Sequence, residues 1–266
     1  MSGPGKRRWG LIVGQLTLAT AVLLGWQWAS STNLLDPFFF SRPSDVVLRV
    51  GQWAGTEALW LHLSTTLTEA VLSFVIGACL GVLCGFVLAS VPILAALLEP
   101  YIRIANALPR VVLAPIFLLW FGLGIWSKVA LGVTVVFFIV FFNTYRGIRE
   151  VDRAMIDNAR MLGASQYQLA HHVLIPSALT WIFSSLHVSI GMAIVAVVVG
   201  EYLGASKGIG YLIAQAEGVF DTTGVFAGMA VLASGVLLVG GLVTRLERRL
   251  LRWKPEHAAS RSGTFA

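Results

Sequence analysis

The sequence predicts an all-α integral membrane protein with about six transmembrane helices, and both its composition and its hydrophobic pattern support this fold class. Of the 266 residues, 57% are hydrophobic and only 12% are charged, whereas a soluble domain carries about 25% charged residues. The apolar residues lie in long uncharged runs, and a helix needs about 20 such residues to cross a bilayer. We therefore predict one transmembrane domain over residues 9–254, with a cytoplasmic tail at 1–8 and a disordered cytoplasmic tail at 255–266.

Charged residues and turn residues divide the apolar sequence into six predicted spans. In chain order, these are 9–29, 63–89, 111–126, 129–145, 176–200 and 224–244. The first span follows Lys6-Arg7-Arg8, so this region also fits a cleaved signal peptide. Its length of about 20 residues and the nearby Trp26 and Trp28 favour a retained span.

The loop between the first two predicted spans contains the sequence Arg42-Pro43-Ser44-Asp45. Ser and Asp are favoured at the position that precedes the first turn of a helix. We therefore predict a short amphipathic surface helix that is capped by Ser44 or Asp45 and reaches to about Trp53.

The second span holds a stripe of small residues. Gly77, Gly81 and Gly85 recur every four residues and so share one helix face, which allows another helix to approach closely in lipid. We predict that this stripe serves helix packing. Cys79 and Cys84 lie in the same span without metal-ligand spacing, and we interpret both as packing residues.

The third span is the weakest of the six. It is short and contains Pro115, and Pro100 and Pro109 precede it. Because proline interrupts a helix, residues 92–110 form either an elbow at the membrane interface or a bent extension of the span. The sequence leaves both arrangements open.

Polar groups at membrane depth are costly and are candidates for a translocation path, and we single out four of them. They are Glu69, Asn143, His187 and Glu201. The two glutamates lie near the outer ends of their spans, so they also fit side chains that reach water. Asn143 and His187 also fit hydrogen bonds between helices.

Residues 149–176 form the one extended polar loop on the inner side, and their pattern predicts two short helices. Gly163 suits the left-handed residue that ends the first helix. Ser165 suits the cap of the second, with Gln168 placed to complete a capping box. Pro176 suits the first turn of the fifth span. Small residues surround this bend, namely Ala159, Gly163 and Ala164, and they favour a surface that docks a partner over a plain connector.

The distribution of basic residues predicts the orientation, because Lys and Arg collect on the cytoplasmic side. With the N-terminus inside, only four of the nineteen Lys and Arg residues lie outside, namely Arg42, Arg49, Lys128 and Lys207. An even number of spans also brings both basic termini to one face. We therefore predict that both termini are cytoplasmic.

Several kinds of chemistry are not expected in this chain. Gly3-Pro4-Gly5-Lys6-Arg7 does not fit a phosphate-binding loop, and the histidines lack the clustering of a metal site. Ser206-Lys207 has no further support as a hydrolytic pair. The basic residues form no groove for nucleic acid. We expect no catalytic residue, cofactor, metal or nucleic acid.

The polar loop resembles the EAA loop of ABC importer permeases, a motif of E-A-A, three residues, G, and then I-x-L-P. Asp157-Asn158-Ala159, Gly163 and Ile175-Pro176 carry the resemblance. It extends over about residues 40–254 and looks like the nitrate/sulfonate/taurine branch. Three positions depart from the motif, because Asp157 replaces glutamate, Asn158 replaces alanine and Ile175 replaces leucine.

The resemblance implies a type I importer permease in the bacterial inner membrane. It implies a second permease copy, cytoplasmic ABC ATPase subunits that hydrolyse ATP, and an extracytoplasmic binding protein that delivers a small polar or anionic solute. A coupling helix around Asp157, Asn158, Ala159, Gly163, Ala164 and Ser165 would dock on the ATPase. The alternative is a self-sufficient channel, or a membrane anchor that recruits a cytoplasmic protein. Substrate identity and the choice between homodimer and heterodimer remain open.

Overall fold

The structure, a computed structural model, describes residues 4–250, and every regular element in that range is a helix. The helices are α1 (Pro4–Ser31), α2 (Pro37–Phe40), α3 (Pro43–Ala54), α4 (Glu57–Ser90), α5 (Pro92–Ala107), α6 (Ala114–Phe121), α7 (Ile125–Arg149), α8 (Arg153–Met161), α9 (Gln166–Leu169), α10 (Ile175–Gly204), α11 (Ile209–Gly218) and α12 (Thr222–Leu250). A 3-10 turn (Arg110–Leu113) precedes α6, and a π-helical turn (Ala170–Leu174) joins α9 to α10. The predicted tail at 255–266 lies outside the described residues.

Within residues 4–250, five helices are long and apolar enough to cross a membrane, and a bent pair makes a sixth. The five are Trp9–Ser31, Glu57–Ser90, Ile125–Arg149, Gln166–Gly204 and Thr222–Leu242. The bent pair consists of Pro92–Ala107 and Arg110–Phe121, which meet at 90°. The prediction of about six apolar helices in an all-α fold is therefore confirmed.

The prediction that residues 111–126 form one complete third span was wrong. Residues 110–121 are helical, but at 1.5 Å per residue they extend only about 18 Å, too short for a bilayer core of about 30 Å. Trp126 belongs to α7 instead. Leu108 and Pro109 break the helix between α5 and the 3-10 turn, so α5 is a separate arm of the bent pair.

Arg110 stabilises this corner. Its guanidinium donates to the carbonyl of Ala105 at 2.7 Å and to Oδ1 of Asn106 at 3.0 Å, which satisfies the open end of α5. The same group lies 4.2 Å from the ring centroid of Phe138, about halfway along α7. The positive charge of Arg110 predicts a place at the inner boundary, whereas the structure places it beside the middle of α7.

Helices α4, α7 and α10 pack together at the centre of the described bundle. Gly77, Gly81 and Gly85 lie where α4 meets the parallel α7. A Cβ added at Gly81 would lie 2.9 Å from the carbonyl oxygen of Phe137, and one at Gly85 would lie 2.8 Å from Cβ of Thr144. Only glycine permits this separation of the two backbones.

The interpretation of Cys79 as a packing residue was wrong for this chain, because its side chain is exposed. Cys79 lies two residues from both Gly77 and Gly81, and each helical residue turns by about 100°. It therefore points away from the face that packs on α7. Cys84 is half-buried, and both thiols are free.

The predicted surface helix is present as α3, but its start was placed too late. The helix begins at Pro43, and Arg42 is its N-cap residue without a side-chain cap. Proline is favoured in the first turn because it needs no partner for an amide hydrogen, so Ser44 and Asp45 lie inside the helix. An ion pair between Arg49 and Asp221 holds α3 to the segment before α12.

Candidate functional site

Helix α8 in the polar loop has defined ends. The Asp152 side chain accepts a hydrogen bond from the amide of Ala154 at 2.9 Å and caps its start. Past its end, Gly163 adopts a left-handed φ of 81°. The amide of Ala164 then donates to the carbonyl of Ala159 at 3.0 Å. Gly163 therefore lies at the turn that ends α8, where the sequence placed it.

The next helix, α9, begins at Gln166, and Ser165 is its N-cap residue. The Ser165 hydroxyl accepts from the amide of Gln168 at 3.3 Å, and the Gln168 side chain accepts from the amide of Ser165 at 2.8 Å. The two bonds form the capping box that the sequence suggested. This reciprocal pair fixes the bend between α8 and α9.

Helix α9 does not end before the fifth span, so the idea of a separate second helix that ends at Pro176 was wrong. The π-helical turn Ala170–Leu174 joins α9 directly to α10, and Gln166–Gly204 forms one apolar helix of 39 residues. Pro176 lacks an amide hydrogen and crowds the preceding turn. The amide of Ile175 bonds five residues back to Ala170, and this wider turn accommodates the proline.

The polar loop presents apolar side chains to its surroundings. Met161 is 86% exposed, Leu162 is 89% exposed and Tyr167 is 76% exposed. A groove of about 330 Å³ runs beside them, with Gly163 and Ala164 in its wall. A group of exposed apolar residues beside a groove is typical of a protein-docking surface.

A second group of functional candidates lies at the far end of the bundle, opposite the polar loop. Glu69 of α4 and Glu201 of α10 are only 2% and 1% exposed. One carboxylate oxygen of Glu201 accepts from the Thr66 hydroxyl at 2.7 Å, and the other accepts from the amide of Gly210 at 2.8 Å. Both side chains are buried in this chain, and the start of α11 covers Glu201, so the alternative in which both glutamates reach water is wrong.

Two further bonds hold the turn between α10 and α11 against α4. The amide of Ile209 donates to Oγ1 of Thr66 at 2.9 Å, and the amide of Gly208 donates to Nδ1 of His62 at 3.0 Å. Gly208 has a φ of 111°, and a Cβ there would collide with the Glu201 carboxylate. We call His62, Thr66, Glu69, Lys128, Glu201 and the Gly208–Gly210 backbone the far-end cluster.

The sequence pattern did not indicate Lys128 as a member of this cluster, nor His62, Thr66 and the Gly208–Gly210 backbone. Lys128 is 1% exposed in the first turn of α7, and its ammonium donates to the carbonyls of Leu123 at 2.8 Å and Gly124 at 3.2 Å. Its charge also interacts with both buried carboxylates. In the sequence, Lys128 resembles an outer-loop residue, although two carboxylates in neighbouring spans are a signal for a basic partner.

Asn143 and His187 do not join the far-end cluster. The Asn143 amide donates to the carbonyl of Ile139 at 2.8 Å, within its own helix rather than to another one. His187 is exposed on α10, fourteen positions before Glu201, which corresponds to about 21 Å along the helix. Among residues 4–250, no group of three His, Cys, Asp or Glu side chains is arranged to hold a metal.

Several known proteins are similar in sequence to this chain over most of its length. Residues 77–252 match the binding-protein-dependent transport system inner membrane component family. A Bacillus subtilis protein, provisionally named aliphatic sulfonates transport permease protein SsuC, is 32% identical over 94% of this chain and 91% of its own. The taurine transport system permease protein TauC of Escherichia coli is 31% identical over 94% of each chain. The riboflavin transport system permease protein RibX of Chloroflexus aurantiacus is 33% identical over 88% of this chain and 87% of its own.

Solved structures show the same fold at lower sequence identity. A chain of the inward-facing MetNI methionine ABC transporter aligns with a TM-score of 0.58 and 19% identity, covering 77% of this chain and 95% of its own. A chain of a bacterial alginate ABC transporter in complex with a periplasmic protein aligns with a TM-score of 0.61 and 16% identity, covering 92% and 96%. The chain belongs to the family of binding-protein-dependent transport system inner membrane components, and it is a multi-pass permease subunit of an ABC importer.

Proposed function

We propose that this permease imports a small polar or anionic organic solute across the bacterial inner membrane and is driven through its polar loop by a separate ABC ATPase. Two permease copies would form the path, with an extracytoplasmic binding protein at the far end and both termini in the cytoplasm. The relatives named for taurine and aliphatic sulfonates support an anionic solute. The relative named for riboflavin supports a broader polar class.

The observation that carries this proposal is the shape of the polar loop. Capping bonds at Asp152 and Ser165 fix α8 and the start of α9, and exposed Met161 and Leu162 lie between them. Here α8 would be the coupling helix, with Asp157 and Asn158 on its exposed surface. Because Gln166–Gly204 is one helix, a displacement of this surface moves the fifth span directly.

The energetic requirement is differential affinity. A partner shifts a conformational equilibrium only when it binds one state more tightly than the other. In our proposal, ATP-driven closure of the ATPase favours one position of α8, and the attached α10 changes access to the path. ATP chemistry would thus take place on the ATPase, and this chain would supply the moving wall.

The buried glutamates support a structural role more than a path lining. Both side chains are buried, and Glu201 accepts from the Gly210 amide, so we propose that Glu201, with Glu69 beside it, anchors the turn at Gly208–Gly210. Of the four residues first considered for the path, only His187 is exposed. It remains our candidate for contact with the solute.

Reconstitution tests the function and separates it from the channel or anchor alternative. The permease is purified with its associated subunits, and mass spectrometry identifies the solute that heat releases from the binding protein. Vesicles with the full complex are expected to accumulate that solute only with ATP. Vesicles with the permease alone are expected to show no flux. Nucleotide-independent flux through the permease would overturn the proposal in favour of a channel.

Replacing Gly163 by valine is expected to abolish ATPase association while membrane insertion stays normal. A Cβ at this position meets no atom within 4 Å, so space in this chain is not limiting. The φ of 81° is strongly disfavoured for a β-branched residue, and the turn after α8 would change its direction. Co-purification of the ATPase measures the effect.

The control is Gly163→Asn, because asparagine tolerates the left-handed region better than other residues with a side chain. We expect this variant to retain most of the ATPase association. If valine and asparagine were equally harmful, a conformational role of Gly163 would be refuted. If valine retained full association, α8 would not be the docking element.

A further inference from the structure

A cavity of about 390 Å³ lies at the loop end of the bundle, between the end of α4, the start of α5 and the end of α7. Its apolar wall includes Leu88, Ala95 and Phe142. Neither the coupling surface on α8 nor the far-end cluster contributes to it. The permease function described above therefore leaves this cavity without a role.

Three arginines line the cavity, namely Arg103, Arg146 and Arg149. One acidic residue also lines it, and this residue, Glu99, pairs with Arg103. Among the side chains that the structure describes, neither Arg146 nor Arg149 forms an ion pair. Arg149 has its guanidinium carbon 5.9 Å from the ring centroid of Tyr145, which orients it beside the cavity. The cavity therefore offers positive charge that this part of the chain does not neutralise.

The basic and the apolar residues of the cavity lie at different positions along the bundle axis. Helix α4 ends at Ser90 and α7 ends at Arg149, so the arginine side of the cavity lies where apolar helices give way to polar sequence. Phe142 lies further from that boundary, seven residues before the end of α7. A ligand that fits this order has a negative group at the boundary and hydrocarbon below it.

We propose that this cavity binds an anionic phospholipid, with the phosphate on Arg146 and Arg149 and the first acyl carbons against Leu88, Ala95 and Phe142. Basic pockets between membrane helices bind anionic lipid headgroups in this way. A soluble anion supplies the same charge but leaves the apolar wall uncovered. Arginines that serve orientation alone need no cavity beside them.

Lipid titration of the full purified complex tests the proposal. Native mass spectrometry counts phosphatidylglycerol and phosphatidylcholine molecules retained by the complex with wild-type permease and by complexes with single Arg146→Gln, Arg149→Gln and Arg245→Gln permease variants. Arg245 is the matched control, because it is exposed at the end of α12 and does not line the cavity. We expect about tenfold weaker retention of phosphatidylglycerol in each cavity variant, as for loss of one charged hydrogen bond.

Further outcomes decide the source of the anion and the integrity of the fold. Arg149→Lys keeps the charge and is expected to retain lipid better than Arg149→Gln, which a folding defect would not produce. Equal retention by the cavity variants and Arg245→Gln would overturn the proposal. Displacement of phosphatidylglycerol by millimolar glycerol phosphate would also overturn it and indicate a site for soluble anions. The experiment measures bound lipid and not transport, so neither result tests the proposed transport function.

Discussion

Replacing Glu201 by leucine is expected to detach α11 from the bundle and abolish transport. The carboxylate accepts from the Thr66 hydroxyl and the Gly210 amide, and leucine leaves both buried donors without that partner. Lys128, 1% exposed, also loses one of its two acidic neighbours. Removal of one partner from a buried charged group costs about 3–5 kcal/mol. Thermal unfolding and proteolysis of the purified permease near residues 205–221 measure the effect.

Two controls separate this effect from a general loss of charge. Glu201→Gln keeps one acceptor oxygen and is expected to be clearly less harmful than leucine. Glu217→Leu removes an exposed glutamate that accepts only the Tyr202 hydroxyl among the described hydrogen bonds. It is expected to be close to wild type, since exposed interactions contribute about 0–1 kcal/mol. If Glu201→Leu behaved like Glu217→Leu, the anchoring role of the far-end cluster would be refuted.

The second large effect is expected at Gly81, where a leucine side chain would force α4 away from α7. The Cβ alone would lie 2.9 Å from both the Phe137 carbonyl oxygen and Cβ of Val140. Backbone atoms cannot rotate aside as a flexible side chain does. Overpacking commonly costs about 1–3 kcal/mol, and we expect Gly81→Leu to exceed that range because the contact involves backbone. The yield of monodisperse permease and its melting temperature measure the loss.

Gly191→Leu is the matched control for this substitution. Gly191 also lies inside a long helix, α10, but a Cβ there meets no atom within 4 Å in this chain. The same change is therefore expected to leave the yield and the melting temperature near those of wild type. Equal damage at the two glycines would show that leucine acts through the membrane or a partner, and not through the contact between α4 and α7.

Local patterns predicted the features that depend on neighbouring residues. The spacing of Gly77 and Gly81 identifies the close-packed helix face, and Ser165 with Gln168 identifies a capping box, because both arise within one or two helical turns. The turn at Gly163 is predicted for the same reason. These elements lie where the sequence placed them.

The remaining features depend on groups that are distant in sequence. Lys128 is buried against Gly200 of α10 and beside acidic residues of α4 and α10, whereas charge alone made it resemble a loop residue. The corner at Arg110 depends on Phe138, which belongs to another helix. Pro176 fits a helix start equally well, and only the wider turn before it shows that the helix continues. A single sequence carries little information about such pairings.

In the proposed mechanism, the helix Gln166–Gly204 would move as one unit that is attached to other segments at both ends. Its 39 residues measure roughly 60 Å at 1.5 Å per residue. The capping box lies at one end, and Glu201 accepts a hydrogen bond from the start of α11 at the other. In this mechanism, a displacement at Ser165 would tilt the whole helix and so reach the opposite membrane face. The turn between α10 and α11 would move with this helix, so opening and closing of the path would need no hinge inside the span.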